Sequence, residues 1–300
     1  MTTKGEKRLA YTVLVLPAVT IYLAVVAFPT IFSILLSLTN YNGGQIFGNP
    51  DIQFVGLKSY QWMFTEPAHN FYTALKNNML IVGVSVFGQI PLGFMLAYIL
   101  ARKLIKKGTR FFQTMIYLPN VISSIIIGVL FNAIISGRSS VLMDIRRIFD
   151  PTAVYNLNSN PMIPVLIVIL WMFTGFYMII FLANMQRIDP AVIEAARIDG
   201  AKESRILWHI TLPALSGVII TTAILAISGS LKSFDLIYAM TNGGPAGQTR
   251  VLSLYMYQSA FHGAPNYPLA NAISTVMVLI SIMLILITMG LGKVFREKEV

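Results

Sequence analysis

Six long stretches of this chain contain no charged residue, and they constrain its fold more than any other feature. They lie between Arg8 and Asp51, Lys76 and Arg102, Arg110 and Arg138, Asp150 and Arg187, Arg205 and Lys232, and Arg250 and Lys293. A helix needs about 20 apolar residues to cross the hydrocarbon core of a bilayer. Each stretch is long enough for one such helix. We therefore predict an all-α, polytopic membrane protein surrounded by lipid.

The predicted spans lie near residues 10–36, 76–101, 112–135, 162–185, 216–238 and 270–292. Turn-forming residues at 151–164 and 261–268 argue against a second span in the longest stretches. Six spans are therefore expected, with five or seven as alternatives. The basic segment before the first stretch is typical of a secretory signal. However, that stretch is too long and no clear cleavage pattern follows it, so we predict a retained helix.

The orientation follows from the lysines and arginines, which favour the cytoplasmic side of a membrane. With the N-terminus inside, 15 of the 22 basic residues fall on the side of both termini. The outer loops are then 37–75, 136–161 and 239–269, and the loop 187–215 is cytoplasmic. This asymmetry explains the net charge of +10. Because the basic residues sit at membrane boundaries, nucleic-acid binding is not expected.

A polar segment, Glu194 to Pro213, interrupts the apolar chain. Asp189 and Pro190 form a helix start, in which Asp caps the free amides and Pro occupies the first turn. We predict a short helix from Pro190 to about Asp199, an interruption at Gly200, and a second helix over 202–209. The segment should stand on the cytoplasmic face as a helix–turn–helix, where another protein can approach it.

The spacing of residues in this segment resembles the EAA signature of permease subunits in ABC importers. The matching residues are Glu194, Ala195, Ala196, Gly200, Ile210, Leu212 and Pro213. The resemblance implies that the loop, including Asp199 and Ala201, is a coupling helix that docks into a cleft on a separate ATP-hydrolysing subunit. An amphipathic helix lying on lipid is the alternative interpretation.

A second segment is similar to the outer loop of sugar permeases of the MalF/UgpA type. It comprises Thr241 to Pro245, then Thr249, Tyr255 to Tyr257, and Ala260 with Phe261. Phe54 to Leu57 with Tyr60 resembles the segment that follows their first span. Alone, Thr241 to Pro245 would be interpreted only as a turn. The resemblance implies that Asn242, Gly243, Gly244 and Pro245 belong to a loop that docks a soluble solute-binding protein.

The same resemblance implies the remaining partners and the location. They are a second permease subunit, two ATP-binding subunits and a carbohydrate substrate, in the bacterial cytoplasmic (inner) membrane. The chain has no G-x-x-x-x-G-K-[ST] loop, so ATP and magnesium belong on the partner ATPase and no cofactor is expected here. Its three histidines are far apart in sequence, so no metal site is expected. No nucleophile elbow or paired carboxylates appear, and we do not expect an enzyme.

Polar and aromatic residues inside the spans are candidates for the substrate path. They are Trp171, Thr174, Tyr177, Ser228 and Ser230, with Asn120, Ser123 and Ser124 as weaker candidates. Simple helix packing explains such residues equally well. Lys232 and Asp235 are three positions apart on one predicted helix face, where they can pair locally. We favour a structural or gating role for this pair over ion binding.

These features predict one transmembrane permease domain, residues 1–300, that forms half of the pathway of an importer for a sugar or oligosaccharide. An importer for a polyol or glycerol phosphate is the alternative. A stand-alone secondary transporter is a further one. It would show an inverted repeat or broken helices with charges in the membrane, and the sequence indicates neither.

Overall fold

The computed structural model of the chain describes residues 4–46, 48–65, 71–102, 108–135 and 160–297. Within these ranges the structure is helical, and the only β pairing is an isolated antiparallel bridge between Thr39 and Phe54. The all-α prediction is therefore confirmed. In chain order the helices are α1 Lys4–Tyr22, α2 Phe28–Ser37, α3 Lys58–Thr65, α4 Phe71–Val84, α5 Ile90–Ala101, α6 Thr109–Val121, α7 Ser124–Ile135, α8 Met162–Met185, α9 Pro190–Ile198, α10 Glu203–Ile206, α11 Leu212–Ala214, α12 Ser216–Leu231, α13 Asp235–Thr241, α14 Leu252–Phe261 and α15 Tyr267–Glu297.

Three π-helical turns link some of these helices without ending them. They are Leu23–Ala27, Ser85–Gln89 and Leu207–Thr211. As a result α1 and α2 form one continuous helical segment, and α4 and α5 form another. In the described part of the chain, four helical segments are long and apolar enough to cross a membrane: Thr12–Ser37, Phe71–Ala101, Met162–Met185 and Tyr267–Lys293. Two further bent pairs raise the number to six if each pair is one span. Most of the predicted outer loop 136–161 lies outside the described residues.

The predicted third span, 112–135, is not a continuous helix. Instead α6 and α7 meet at 90°. Pro119 lies inside α6, and Ile122 after it is extended, with φ −76° and ψ 141°. The two helices have 13 and 12 residues, so each is about 20 Å long, shorter than the ~30 Å hydrocarbon core. The prediction of one continuous helix over 112–135 is therefore wrong.

The predicted fifth span also ends early, because α12 stops at Leu231 and α13 starts at Asp235. The Ser253 hydroxyl donates to the carbonyl of Ser233 at 2.6 Å and holds the chain between the helices. Lys232 and Asp235 consequently lie on either side of a helix break. Both residues lie in the described part of the chain, and they form no ion pair with each other. The predicted local pair on one helix face is therefore wrong.

The chain divides into two compact units, and the first comprises residues 1–69 and 255–276. Within it, the segment after the first span folds back onto the end of α2. The amides of Val55 and Gly56 donate to the carbonyl of Leu38 at 2.9 and 3.1 Å. The hydroxyls of Ser37 and Tyr60 are 2.6 Å apart. The segment from Phe54 to Tyr60 thus has a structural role, because it fixes the chain that follows α2 against the end of that helix.

The second unit comprises residues 70–254 and 277–300, and its core lies where α5, α8 and α12 meet. The rings of Phe94 and Phe181 form an edge-to-face pair at 5.3 Å. At Gly93 an added Cβ would lie 2.9 Å from the Tyr177 Cβ. The absence of a side chain at Gly93 therefore allows α5 and α8 to cross closely, as small residues do in membrane helices. Tyr177, at this crossing, also lines the cavity described next, and Tyr98 of α5 contacts the loop 187–215.

Candidate functional site

A cavity of about 220 Å³ lies in the second unit, beside the break between α12 and α13. The Ser85–Gln89 turn, α8 and α12 form most of its wall, and Ser124 of α7 completes it. Its polar lining residues are Ser85, Gln89, Ser124, Tyr177, Ser230, Lys232, Ser233 and Asp235. The remaining wall includes Ile81, Ile169 and Phe173.

The deepest polar groups of this cavity are held by the protein itself. The Ser230 hydroxyl donates to the Ala226 carbonyl at 2.7 Å and lies 3.0 Å from the Ser85 hydroxyl. The Gln89 amide donates to the Ile169 carbonyl at 2.7 Å. Since these side chains are buried and anchored, the cavity offers preformed hydrogen-bonding groups.

The structure brings only some of the predicted path residues to this cavity. Tyr177, Ser230 and Ser124 line it. Asn120, Trp171, Thr174 and Ser228 are not among the described lining residues. The Trp171 ring instead packs against Phe131, with centroids 5.8 Å apart, and the Thr174 hydroxyl donates to the Leu170 carbonyl of its own helix.

Sequence reasoning missed Gln89 and Ser85. The available signal was an amide in the middle of a charge-free span, because an unpaired polar group in hydrocarbon is costly. The π-helical turn at Ser85–Gln89 also changes which residues face the cavity, and hydrophobic periodicity does not reveal such a turn. Lys232 and Asp235, both exposed, place one cation and one carboxylate at the same cavity.

The predicted cytoplasmic loop has the local structure that its sequence indicates. The Asp189 side chain accepts a hydrogen bond from the Ala191 amide at 2.9 Å and caps α9, which begins at Pro190. At the other end Gly200 has φ +78°. The Ala201 amide donates to the Ala196 carbonyl at 2.9 Å, and the Gly200 amide donates to the Arg197 carbonyl at 3.0 Å. This pair of bonds is a Schellman motif, which reverses the chain.

Two residues from the end of α5 hold the loop. The Tyr98 hydroxyl lies 2.9 Å from Glu203 Oε2, and the Arg197 guanidinium donates to Glu203 Oε1 at 2.6 Å. Arg102 donates to the Thr211 hydroxyl at 2.9 Å, and its guanidinium lies 5.3 Å from the centre of the Tyr98 ring. The second half of the loop therefore contacts the second span twice, near its start through Glu203 and near its end through Thr211.

The pKa of Glu203 reflects these contacts. Partial burial raises it, whereas hydrogen bonds from Arg197 and Tyr98 and the charges of Arg197 and Arg102 lower it. The net result is a pKa below the usual value for glutamate. Glu203 is therefore ionised at neutral pH, and the charged form is the one that holds the loop.

The EAA-signature residues differ in exposure. Glu194, Ala195, Asp199 and Gly200 are exposed, and Ala196, Ala201, Ile210, Leu212 and Pro213 are half-buried. Ile193 and Ile206 are buried and anchor the loop. Ile198 is 86% exposed at the end of α9. Val192, on the same helix, is 48% exposed, so α9 presents two apolar side chains on its surface.

The predicted outer docking loop is a tightly bonded turn. Asn242 and Gly243 have φ of 48° and 82°, and the Thr249 hydroxyl donates to the Gly244 carbonyl at 2.8 Å. From α4, the Asn77 amide donates to the carbonyls of Gln248 and Arg250, both at 2.8 Å. Gly243 is buried, whereas Asn242 and Pro245 are exposed. Among the four residues of the predicted docking loop, the exposed side chains are therefore those of Asn242 and Pro245.

Comparison with known proteins shows the family of this chain. Residues 89–298 match the model of the binding-protein-dependent transport system inner membrane component family. The lactose transport system permease protein LacF of Rhizobium radiobacter is 33% identical over 88% of either chain. The multiple sugar-binding transport system permease protein MsmF of Streptococcus mutans is 29% identical over 97% of both.

The fold is also that of a solved transporter structure. A chain in the crystal structure of a bacterial alginate ABC transporter, in complex with alginate pentasaccharide-bound periplasmic protein, superposes with a TM-score of 0.79. That superposition covers 98% of this chain and 97% of the other at 24% identity. The family model covers well over half of the sequence, and these relatives match nearly end to end. The chain therefore belongs to the binding-protein-dependent transport system inner membrane components, the permease subunits of ABC importers.

Proposed function

We propose that this permease imports a sugar or oligosaccharide through the cavity at the α12–α13 break. The observation that carries the proposal is the cavity itself. Its Ser230, Ser85 and Gln89 groups are fixed by hydrogen bonds, and Phe173 and Tyr177 add aromatic surface. Hydroxyls and amides exchange hydrogen bonds with sugar hydroxyls, while aromatic faces stack on the C–H surface of a sugar ring. The sugar permeases LacF and MsmF support the same substrate class.

Energy for transport comes, on this proposal, from ATP hydrolysed on a partner. Two ATP-binding subunits bind ATP and magnesium, and one of them receives the loop 187–215 of this chain. The exposed residues Glu194, Ala195, Asp199 and Ile198 support this docking, because they form an uncovered surface at the end of a capped helix. A second permease subunit supplies the other half of the pathway.

The contacts of the loop suggest how its motion reaches the cavity. When the ATPase subunits close, the loop moves with them, and the Tyr98–Glu203 bond carries that motion into α5. The close crossing at Gly93 couples α5 to α8, which supplies Tyr177 to the cavity wall. The cavity then opens alternately to the two sides of the inner membrane. No covalent bond of the sugar is made or broken.

A soluble solute-binding protein delivers the sugar to the outer loops 37–75 and 239–269. Asn242 and Pro245 are the side chains of the Thr241–Pro245 turn available to it. Gly243 and Gly244 allow the turn. Gly243 has positive φ, its amide donates to the Thr241 hydroxyl and its carbonyl accepts from the Thr249 amide, while the Gly244 amide donates to the Thr241 carbonyl.

Uptake by cells that lack this gene tests the substrate class. Radiolabelled oligosaccharides, a polyol and glycerol phosphate are offered separately, with and without the restored gene. We expect gene-dependent uptake of a saccharide, abolished by Gln89→Ala. Restoration of polyol or glycerol phosphate uptake alone would contradict the carbohydrate assignment while leaving the family intact.

A further inference from the structure

Trp208, in the π-helical turn Leu207–Thr211, lies where two depressions of the second unit meet. It is 63% exposed. One depression, of about 500 Å³, is lined by Gly200, Lys202, Ser204, Arg205, Trp208 and His209. The other, of about 410 Å³, is lined by hydrophobic residues of α5, α8 and α12 together with Leu207, Trp208 and Leu212. A basic, polar depression thus adjoins an apolar groove, and one indole forms part of both.

The basic depression keeps its positive charge. Its described lining includes Lys202 and Arg205 and contains no carboxylate. Two acidic residues adjoin this lining in sequence. Glu203 directs its carboxylate to Tyr98 and Arg197, and Asp199 is exposed and does not line the depression. His209 adds a ring whose Nδ1 lies 3.2 Å from the Arg205 carbonyl oxygen, so this ring is held beside the two cations.

The apolar groove has the character of a site for a hydrocarbon chain. Its lining includes Pro91, Met95, Phe181, Leu212 and Ile219. Met95 is more than half exposed within the second span, as expected of a residue that contacts lipid. The groove therefore runs from membrane-embedded helices to the start of the basic depression.

We propose that the two depressions form one site for an anionic glycerophospholipid, with the phosphate beside Lys202 and Arg205 and an acyl chain in the groove. The placement rests on the cytoplasmic position of the loop in the proposed function. At that face, tryptophan favours the membrane interface, and basic pockets attract anionic headgroups. An ABC permease needs no such site for its chemistry. The bound lipid is a second ligand that ties the second half of the loop to α5 and α12.

The assembled transporter, purified and reconstituted with equal amounts of phosphatidylglycerol and phosphatidylcholine, tests the site. After stepwise delipidation, native mass spectrometry counts each lipid retained per complex, without sugar or ATP. We expect the wild type to retain phosphatidylglycerol selectively. A basic residue near a membrane surface contributes ~1 kcal/mol to the binding of anionic lipid. Lys202→Gln/Arg205→Gln removes two such residues and should weaken retention of phosphatidylglycerol about 30-fold.

A matched control removes the same charge elsewhere on the same predicted face. Arg187→Gln/Lys293→Gln should retain the lipid within about threefold of the wild type, because neither residue lines the depressions and distant surface charges are screened. Equal losses in the two double variants would overturn the site and leave only general attraction of anionic lipid.

Two further arms identify the occupant. Ile219→Trp should fill the groove and lower phosphatidylglycerol retention although both cations remain. Release of the lipid by millimolar inorganic phosphate as readily as by a short-chain phosphatidylglycerol would instead show a headgroup-only site and contradict the proposal. Loss of the ATPase subunit from the Lys202→Gln/Arg205→Gln complex, with phosphatidylglycerol still retained, would also contradict the lipid site. Because no transport is measured, failure here is distinguishable from failure of the proposed function.

Discussion

The hydroxyl of Tyr98, near the C-terminal end of α5, lies 2.9 Å from the carboxylate of Glu203 in the loop 187–215. The two residues are 105 positions apart in sequence. Tyr98 is almost fully buried in the core formed by α5 and α8, whereas Glu203 belongs to the segment proposed to meet the ATPase. This bond therefore links the loop directly to α5, which packs against α8, a helix of the cavity wall.

Removing that hydroxyl should loosen the link without unfolding the protein. Tyr98→Phe keeps the buried ring and loses one hydrogen bond to a partly exposed carboxylate, which contributes about 1 kcal/mol. We expect the sugar transported per ATP hydrolysed to fall about fivefold, as measured in proteoliposomes. Tyr22→Phe, at a half-exposed position in α1, is the control and should leave the ratio unchanged. An unchanged ratio in Tyr98→Phe would show that the motion travels by another route.

Acid should break the same link, because the pKa of Glu203 is lowered in the folded protein. A lowered carboxyl pKa contributes stability that is complete above the unfolded value of 4.5 and disappears as pH falls through the lower folded value. Melting temperatures of wild type and Glu203→Gln should therefore differ at pH 7 and converge below pH 4.5. The difference at pH 7 corresponds to about 1 kcal/mol at most, since both carboxylate and guanidinium are partly exposed. A difference that stays constant with pH would exclude ionised Glu203 as its source.

Charge at the chain reversal should uncouple the transporter. Gly200 has positive φ and no neighbouring atom within 4 Å of an added Cβ. A substitution there should therefore strain the backbone and interfere with a docked partner, without a clash inside this chain. Asn and Asp have nearly the same size and both tolerate left-handed φ. Gly200→Asp and Gly200→Asn therefore differ mainly in charge, and Gly200→Asn is the neutral control. We expect both variants to assemble and Gly200→Asp to hydrolyse ATP with little uptake. Wild-type uptake by Gly200→Asp would contradict docking at this position.

Tyr177 should matter for uptake more than for folding. Its hydroxyl makes no hydrogen bond within the described part of the chain, and its side chain lines the cavity. Tyr177→Phe should lower uptake between about twofold and tenfold by removing one hydrogen bond to substrate, with less than about 0.5 kcal/mol change in stability. Thr174→Val, which lies on the same helix away from the cavity lining, is the control for uptake. If both variants transport normally, the cavity is not the sugar site.

The α5–α8 crossing should be sensitive to one methyl group. Gly93→Ala would place a Cβ 2.9 Å from Met178 N and from the Tyr177 Cβ, forcing the helices apart at a cost of about 1–3 kcal/mol. Gly83→Ala, in α4, meets nothing within 4 Å and should be neutral or slightly stabilising. Thermal denaturation of the two purified variants checks the contrast. Equal melting temperatures would mean that the crossing can relax.

Several elements were predictable because their determinants are local. Asp189 and Pro190 specify the start of α9, and Gly200 specifies its end, since capping and positive φ depend on neighbouring residues. The class of fold follows from charge-free length alone. Tyr177 and Ser230 were predicted to lie on the substrate path, and both line the cavity.

The misses share a physical cause. The bend at Ile122 follows Pro119 inside α6, and the break after Leu231 is held by the bond from Ser253 to Ser233; hydropathy encodes neither. The π-helical turn at Ser85–Gln89 rotates Gln89 to a position that a 3.6-residue period does not predict. Tyr98 and Glu203 are too far apart in sequence for any local pattern to pair them.

Reconstituted uptake with and without the partner ATPase tests the central claim most directly. The permease pair is placed in proteoliposomes with the solute-binding protein and labelled sugar, and an ion gradient is imposed in one arm and ATP with the ATPase subunits in the other. We predict uptake only where ATPase subunits, ATP and magnesium are all present. Uptake driven by the ion gradient in the absence of the ATPase would contradict the account of this chain as a receiver of ATP-driven motion.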